Sequence, residues 1–364
     1  MTTPAEPQDA PASPSSRAAG SPDHAGFARS GVLWRRVLLP LLPLVVLAVL
    51  PAFPLEPNVF RLLFITMVWV TTSVAWNLLG GFAGQVSFGF AVFYGTGAYV
   101  AATSINAGLS PYLSYLLSAL VAAFVSVLIG LPTFRLRGPY FAIATIGVAE
   151  TVRVIMTNIR ATGGASGYRV TEHGPFRPIE HYYTALVVAA IAVAISMLIV
   201  HRKFGLGLRA ICQDEDAAAD IGINPYLYKL EAHALAAALT GAAGGVYARY
   251  AAFIHPQGVY GFPTTVSILL MPVIGGLGTI WGPVIGGVVF GFVEEEIVAA
   301  FPQVHLLIYG GLLMLIVLVE PGGILGALQK LYRRIREWRK RPDPERGEPE
   351  QVLWRARRGQ GSEL

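Results

Sequence analysis

Apolar runs, most of them long enough for a helix to cross hydrocarbon, follow one another along nearly the whole chain. They lie at 37–53, 60–79, 81–104, 112–134, 138–158, 183–201, 229–251, 263–280, 281–300 and 306–321. A crossing helix needs roughly 20 such residues, so the pattern predicts an all-α polytopic membrane protein of about ten transmembrane segments. Two runs are unlike the rest. One opens on Gly80-Gly81-Phe82-Ala83-Gly84-Gln85-Val86-Ser87-Phe88-Gly89, and the other ends on Pro272-Val273-Ile274-Gly275-Gly276-Leu277-Gly278. Glycine weakens a helix by up to about 1 kcal/mol per residue, and irregular backbone survives in hydrocarbon only where it is buried in protein or lines a cavity. Each run is the third of a group of five, and because five is odd the two groups form inverted halves. A broken or short helix in each half points to a translocation path between them, with Gln85, Ser87, Thr145, Glu150, Gly275 and Gly276 as its candidate residues. Close helix packing through the glycines is the other reading.

Composition agrees with a membrane chain, since charged residues make up 13% and mean hydropathy is +0.55, against roughly 25% charged in soluble domains. The charge excess is local. From Lys330 to Leu364 there are 11 basic and 6 acidic residues, while residues 1–329 carry 16 of each. The basic pI therefore belongs to a tail, 326–364, for which an anionic membrane surface is a better partner than nucleic acid. Arg35 and Arg36, Arg135 and Arg137, Arg202 with Lys203 and Arg209, and the tail all fall on the cytoplasmic side if ten segments cross, with both termini inside. Residues 1–30 are Ala-, Pro- and Ser-rich and are expected to be a disordered cytoplasmic tail. The run at 37–53 resembles a signal peptide but lacks a small-x-small cleavage site before Glu56, so it reads as an uncleaved first span. The transmembrane domain is expected over 31–325, with an external loop at 159–182 and a cytoplasmic loop at 205–228.

Several chemistries are excluded. The four lysines, Lys203, Lys229, Lys330 and Lys340, never follow glycine, so no phosphate-binding loop is present. One cysteine, Cys212, rules out a disulfide framework or a cysteine zinc site. His173, His181, His233, His255 and His305 lack ligand-spaced partners and read as solvated or interfacial residues. No metal, cofactor or enzyme activity is expected. Glu150 and Arg153, three apart on one helix, can pair with each other. Glu294, Glu295 and Glu296 read as an interface feature that faces an external partner.

In the loop Gly205–Tyr228, Asp214 or its neighbours can cap a short helix that Gly222 and Asn224 would stop. That helix has no core of its own, and the acidic run Asp214, Glu215, Asp216 disfavours an anionic lipid surface. Docking on another protein is the remaining use.

Here the residues carry a resemblance. Asp216-Ala217-Ala218-x-x-x-Gly222 is similar to the coupling motif of permeases in binding-protein-dependent ABC importers. With Asn77–Gly89, Phe134–Thr145, Glu150-x-x-Arg153, Thr162-Gly163-Gly164 and Gly275–Thr279, the chain from about 60 to 325 resembles the LivM-type permeases of branched-chain amino-acid importers. The resemblance implies a permease in the cell inner membrane that carries branched-chain or similar amino acids. Its implied partners are a second homologous permease subunit, two cytoplasmic ATPase subunits and a periplasmic substrate-binding protein. It makes 205–228 the coupling loop, with Asp214, Glu215, Asp216, Ala217, Ala218 and Gly222 as ATPase-coupling residues. A self-contained secondary transporter or channel for a small polar solute is the alternative, one that would not need this loop.

Overall fold

The computed structural model describes residues 57–171, 177–301, 304–320 and 322–340. The expected tail 1–30, the first apolar run 37–53 and residues 341–364 lie outside the described residues. Among the described residues thirteen α-helices follow in order: α1 Pro57–Gly80, α2 Phe90–Asn106, α3 Pro111–Thr133, α4 Pro139–Asn158, α5 Pro178–Val200, α6 Lys203–Gln213, α7 Glu215–Asp220, α8 Pro225–Ala251, α9 Pro256–Tyr260, α10 Phe262–Gly275, α11 Trp281–Ala300, α12 His305–Val319 and α13 Gly323–Lys340. Proline stands in the first turn of α3, α4, α5, α8, α9 and α10, where its missing N–H is no loss and its fixed φ suits the helix.

The described residues bear out the polytopic reading in its coarser form. Five stretches are both long and apolar enough to cross: Asn58–Gly80, Pro111–Thr133, Pro139–Asn158, Pro178–Val200 and Pro256–Gly275. Trp281–Glu294 and His305–Ile316 are apolar but shorter, giving five to seven apolar helices among the described residues. The run at 81–104 is helical only from Phe90, and that at 263–280 only as far as Gly275. The run at 229–251 lies in α8, which carries Lys229, Glu231, His233 and Arg249.

Small residues let the central helices touch. A Cβ on Gly97 of α2 would collide with the backbone of Gly241 of α8, and one on Gly244 with the carbonyl of Tyr94. Ser118 of α3 donates to the Gly97 carbonyl at 2.8 Å. Such close approach is the usual basis of helix association in lipid.

Contacts define two ends. At one, the backbone of Tyr168–Arg169 pairs antiparallel with Phe253–Ile254, the single two-stranded ladder among the described residues. Asn106, at the end of α2, donates to the Arg169 carbonyl and accepts from Thr171 N–H. Arg249, buried near the end of α8, bonds Glu180 at the start of α5 at 2.9 Å. At the other end, Arg137 bonds Asp216 at 2.9 Å, and the Arg209 guanidinium lies 5.7 Å from the centre of the Phe82 ring. Leu328, Leu331 and Tyr332 of α13 are exposed beside a run of basic residues, a pattern suited to a membrane surface.

Candidate functional site

The two glycine-rich segments meet. The Asn77 side chain, fully buried near the end of α1, donates from Nδ2 to the Thr279 carbonyl at 2.9 Å and accepts at Oδ1 from Gly278 N–H at 3.0 Å. It thereby ties two backbone groups of the loop between α10 and α11, from neighbouring residues, to the end of α1. Contact is close because Gly278 has φ +68°, and a Cβ there would stand 3.1 Å from the Gly81 carbonyl.

This junction is at the end of α1 and not halfway along it. A 24-residue helix is about 36 Å long, so Gly80 lies a full crossing away from Pro57. Phe82 under Arg209, and Gly84, whose Cβ would come 3.0 Å from Cys212 Sγ, set the loop against α6.

The six candidate path residues do not form one group. Ser87 and Thr145 are buried side by side: Phe88 N–H donates to Thr145 Oγ1 at 3.0 Å, and Trp76 Nε1 donates to the Ser87 carbonyl at 3.0 Å. Gln85 is half-buried in the same loop. Gly275 instead packs on Gly282 and Gly286 of α11, while Gly276, φ +128°, packs on Gly322 and Leu325. Glu150 is exposed on α4 and bonds Arg153.

The loop residues divide by use. Asp214 Oδ1 accepts from Asp216 N–H at 2.9 Å and Ala217 N–H at 3.0 Å, capping α7. Glu215 bonds the buried Lys229, and Asp216 bonds Arg137, whose basicity is raised by that carboxylate. Ala218 is buried against its own molecule. Ala217 and Gly222 remain exposed, together with Ile221 at 74% exposure. Gly222 reverses the chain at φ +87°, a region costly for residues with a Cβ. Asn224 caps the start of α8, accepting from Leu227 N–H at 3.2 Å, so it opens the next helix instead of ending α7. The residue that sequence reasoning missed is Ile221.

Two histidines also differ from expectation. His233 is buried among Phe90, Phe93 and Phe134, both ring nitrogens lacking a partner among the described residues. His181 is buried against Phe64 and Tyr250. The three-glutamate run yields one described side chain, and it is not an outward-facing one. Glu294 accepts from Ser267 Oγ at 3.2 Å and lines a cavity of about 190 Å3 with Trp69, Tyr94, Tyr247 and Tyr309.

The comparisons with known proteins bear on all of this. Residues 58–318 match the family described as the permease component of the branched-chain amino acid transport system. The chain is 28% identical to the high-affinity branched-chain amino acid transport system permease proteins LivM of Salmonella typhimurium and Escherichia coli K12. Each match runs over 292 residues, 72% of this chain and 68% of theirs. It is 26% identical to a probable branched-chain amino acid transport permease protein LivH of Methanocaldococcus jannaschii, over 76% of this chain and 91% of that one. No solved structure matches. A permease component implies partner subunits, and the family is one of transport and not of catalysis. With 261 residues of apolar helices and glycine-rich junctions covered by one family model, the chain belongs to the multi-pass permease components of branched-chain amino acid ABC transport systems.

Proposed function

We propose that this chain is the transmembrane subunit of an inner-membrane importer for branched-chain or similar amino acids. A second homologous permease subunit, two cytoplasmic ATPase subunits and a periplasmic binding protein would complete it. The family match over 58–318 carries the reading. Closure of the ATPases on ATP would push on α7, and different contacts in the two membrane states would supply the work of alternating access. The Asn77 junction would be the inner closure of the path, with the buried Ser87 and Thr145 close above it. Cells lacking the chain are expected to lose uptake of radiolabelled leucine, isoleucine and valine and to regain it when the chain is restored. Undiminished uptake in its absence would count against the proposal.

The finer topology is ten crossings with both termini cytoplasmic. Its support is the alternation of helix ends: loops 81–89, 134–138, 201–224 and 276–280 contact one another at one end, and 106–110, 168–171 and 252–255 do so at the other. Arg135, Arg137, Arg202, Lys203 and Arg209 share the first end, as the positive-inside rule requires. In a Cys212→Ser background, a cysteine at 165 should react with an impermeant reagent from outside and one at 221 only from inside. The reverse pattern would overturn the topology.

A further inference from the structure

We infer that the cavity beside Glu294 is a binding site for an α-amino acid zwitterion within the permease. The inference rests on the transport reading above and names where its solute would sit. Seven helices build the cavity: Trp69 comes from α1, Tyr94 from α2, Tyr247 from α8, Gly258 from α9, Ser267 from α10, Glu294 from α11 and Tyr309 from α12. Its volume of about 190 Å3 is below the range of roughly 300–1,000 Å3 of drug-sized pockets, which suits one small solute.

The chemistry of the walls selects the ligand. Glu294 supplies a carboxylate, and Ser267 Oγ holds one of its oxygens at 3.2 Å. Trp69 and Tyr94 stack with centroids 6.3 Å apart, and Tyr94 and Tyr247 stand 5.7 Å apart. Aromatic faces beside a carboxylate form the environment that attracts an ammonium group, and the same rings offer apolar area to a hydrocarbon side chain. The opposite charge is also provided for. Trp69 Nε1 and Tyr309 Oη are buried without a hydrogen-bond partner among the described residues, Tyr309 being only 1% exposed. An indole N–H only donates and a phenol can donate, and a buried unpaired donor is costly, so a ligand carboxylate between them would satisfy both. Among the described residues no lysine or arginine lines the cavity, while the His305 imidazole does, so the solute's carboxylate would find the Trp69 and Tyr309 donors on the side of that ring.

Gly258 and Pro263, both exposed, border the cavity on the side of the Tyr168–Ile254 ladder. The Asn77 junction lies at the opposite end. A solute arriving from the external face would therefore reach Glu294 before the inner closure.

Tryptophan fluorescence of the purified whole transporter in nanodiscs, without binding protein, reads the site directly, with Trp69→Phe identifying the signal. Leucine and 3-methylbutylamine are expected to give saturable responses, and 4-methylpentanoate a weaker one. Glu294→Gln keeps the side-chain shape and should weaken the leucine and amine responses at least tenfold. Tyr309→Phe should weaken leucine but leave the amine unchanged, and it keeps the test decisive if the Glu294 variant inserts poorly. No leucine response in the unmutated transporter, or an unaltered one in both variants, would overturn the inference. Loss of the transport reading is a separate outcome: cells whose leucine uptake ignores this chain would show it, and the amine titration would still report on the cavity.

Discussion

An Ile221→Asp chain is expected to insert normally, take up leucine at background level and lose substrate-stimulated ATP hydrolysis. An exposed isoleucine by itself means little, but this one stands at the tip of a loop that no membrane crossing requires. Three of the acids near it are occupied: Asp214 caps α7, Glu215 holds Lys229 and Asp216 holds Arg137. What is left for a partner is Ala217, Ala219, Ile221 and Gly222, a small and largely apolar surface beside the exposed Asp220, of the kind that enters a groove. A buried anchor at such a contact contributes about 2 kcal/mol or more, roughly thirtyfold in affinity, and an aspartate in its place would also have to be desolvated. Ala218→Arg would be a poorer probe, because Ala218 is 2% exposed within this chain and its replacement disturbs the loop itself. Uptake by Ile221→Asp at the unmutated rate would reduce the loop to a connector.

Glu215→Ala is expected to open the loop locally, costing about 3 kcal/mol, the lower part of the range for breaking a buried ion pair. Lys229 is 1% exposed and Glu215 24%, so removing the carboxylate strands the ammonium while water still reaches the vacated side. Hydrogen exchange across 214–222 should then accelerate by about two decades. Lys229→Met in the same chain should recover most of the protection, since an apolar side chain of similar length needs no counter-charge. Equal exchange in Glu215→Ala and the unmutated chain would show that the pair carries no weight in the solution structure.

Local rules were readable from neighbouring residues. Asp214 before Glu215-Asp216-Ala217 signals an N-cap, and the glycines at 80–89 and 275–278 signal broken helices, because cap geometry and backbone freedom depend on a few adjacent positions. Asn224 was misjudged for a related reason. Asn serves at either end of a helix, and Pro225 immediately after it, a first-turn residue, was the signal that a new helix begins. Where a helix starts or stops inside an apolar run was less legible. Runs 81–104 and 263–280 include stretches whose backbone bonds are made by Asn77, Trp76 and Thr145 instead of by helix, partners up to 202 residues away that a window of 20 cannot contain.

The apolar pattern, the scarcity of charge and the absence of any phosphate-binding or metal-ligating spacing were sufficient for the class: a multi-pass helical chain without catalytic machinery, with motifs of the permease family. These are properties of composition and short spacing, set by the solvent around each helix. The neighbours of a given side chain were decided only by packing. Glu294 reads as one of three acids near a helix end, yet the fold puts it among rings from α1, α2, α8 and α12. Thr145 and Glu150, both named as path residues, face different ways, one buried and one exposed, because five residues turn an α-helix by about 140° beyond a full turn. Which face of each helix meets another depends on where glycines 97, 241 and 244 permit close approach, a condition on pairs of helices that no single stretch of sequence states.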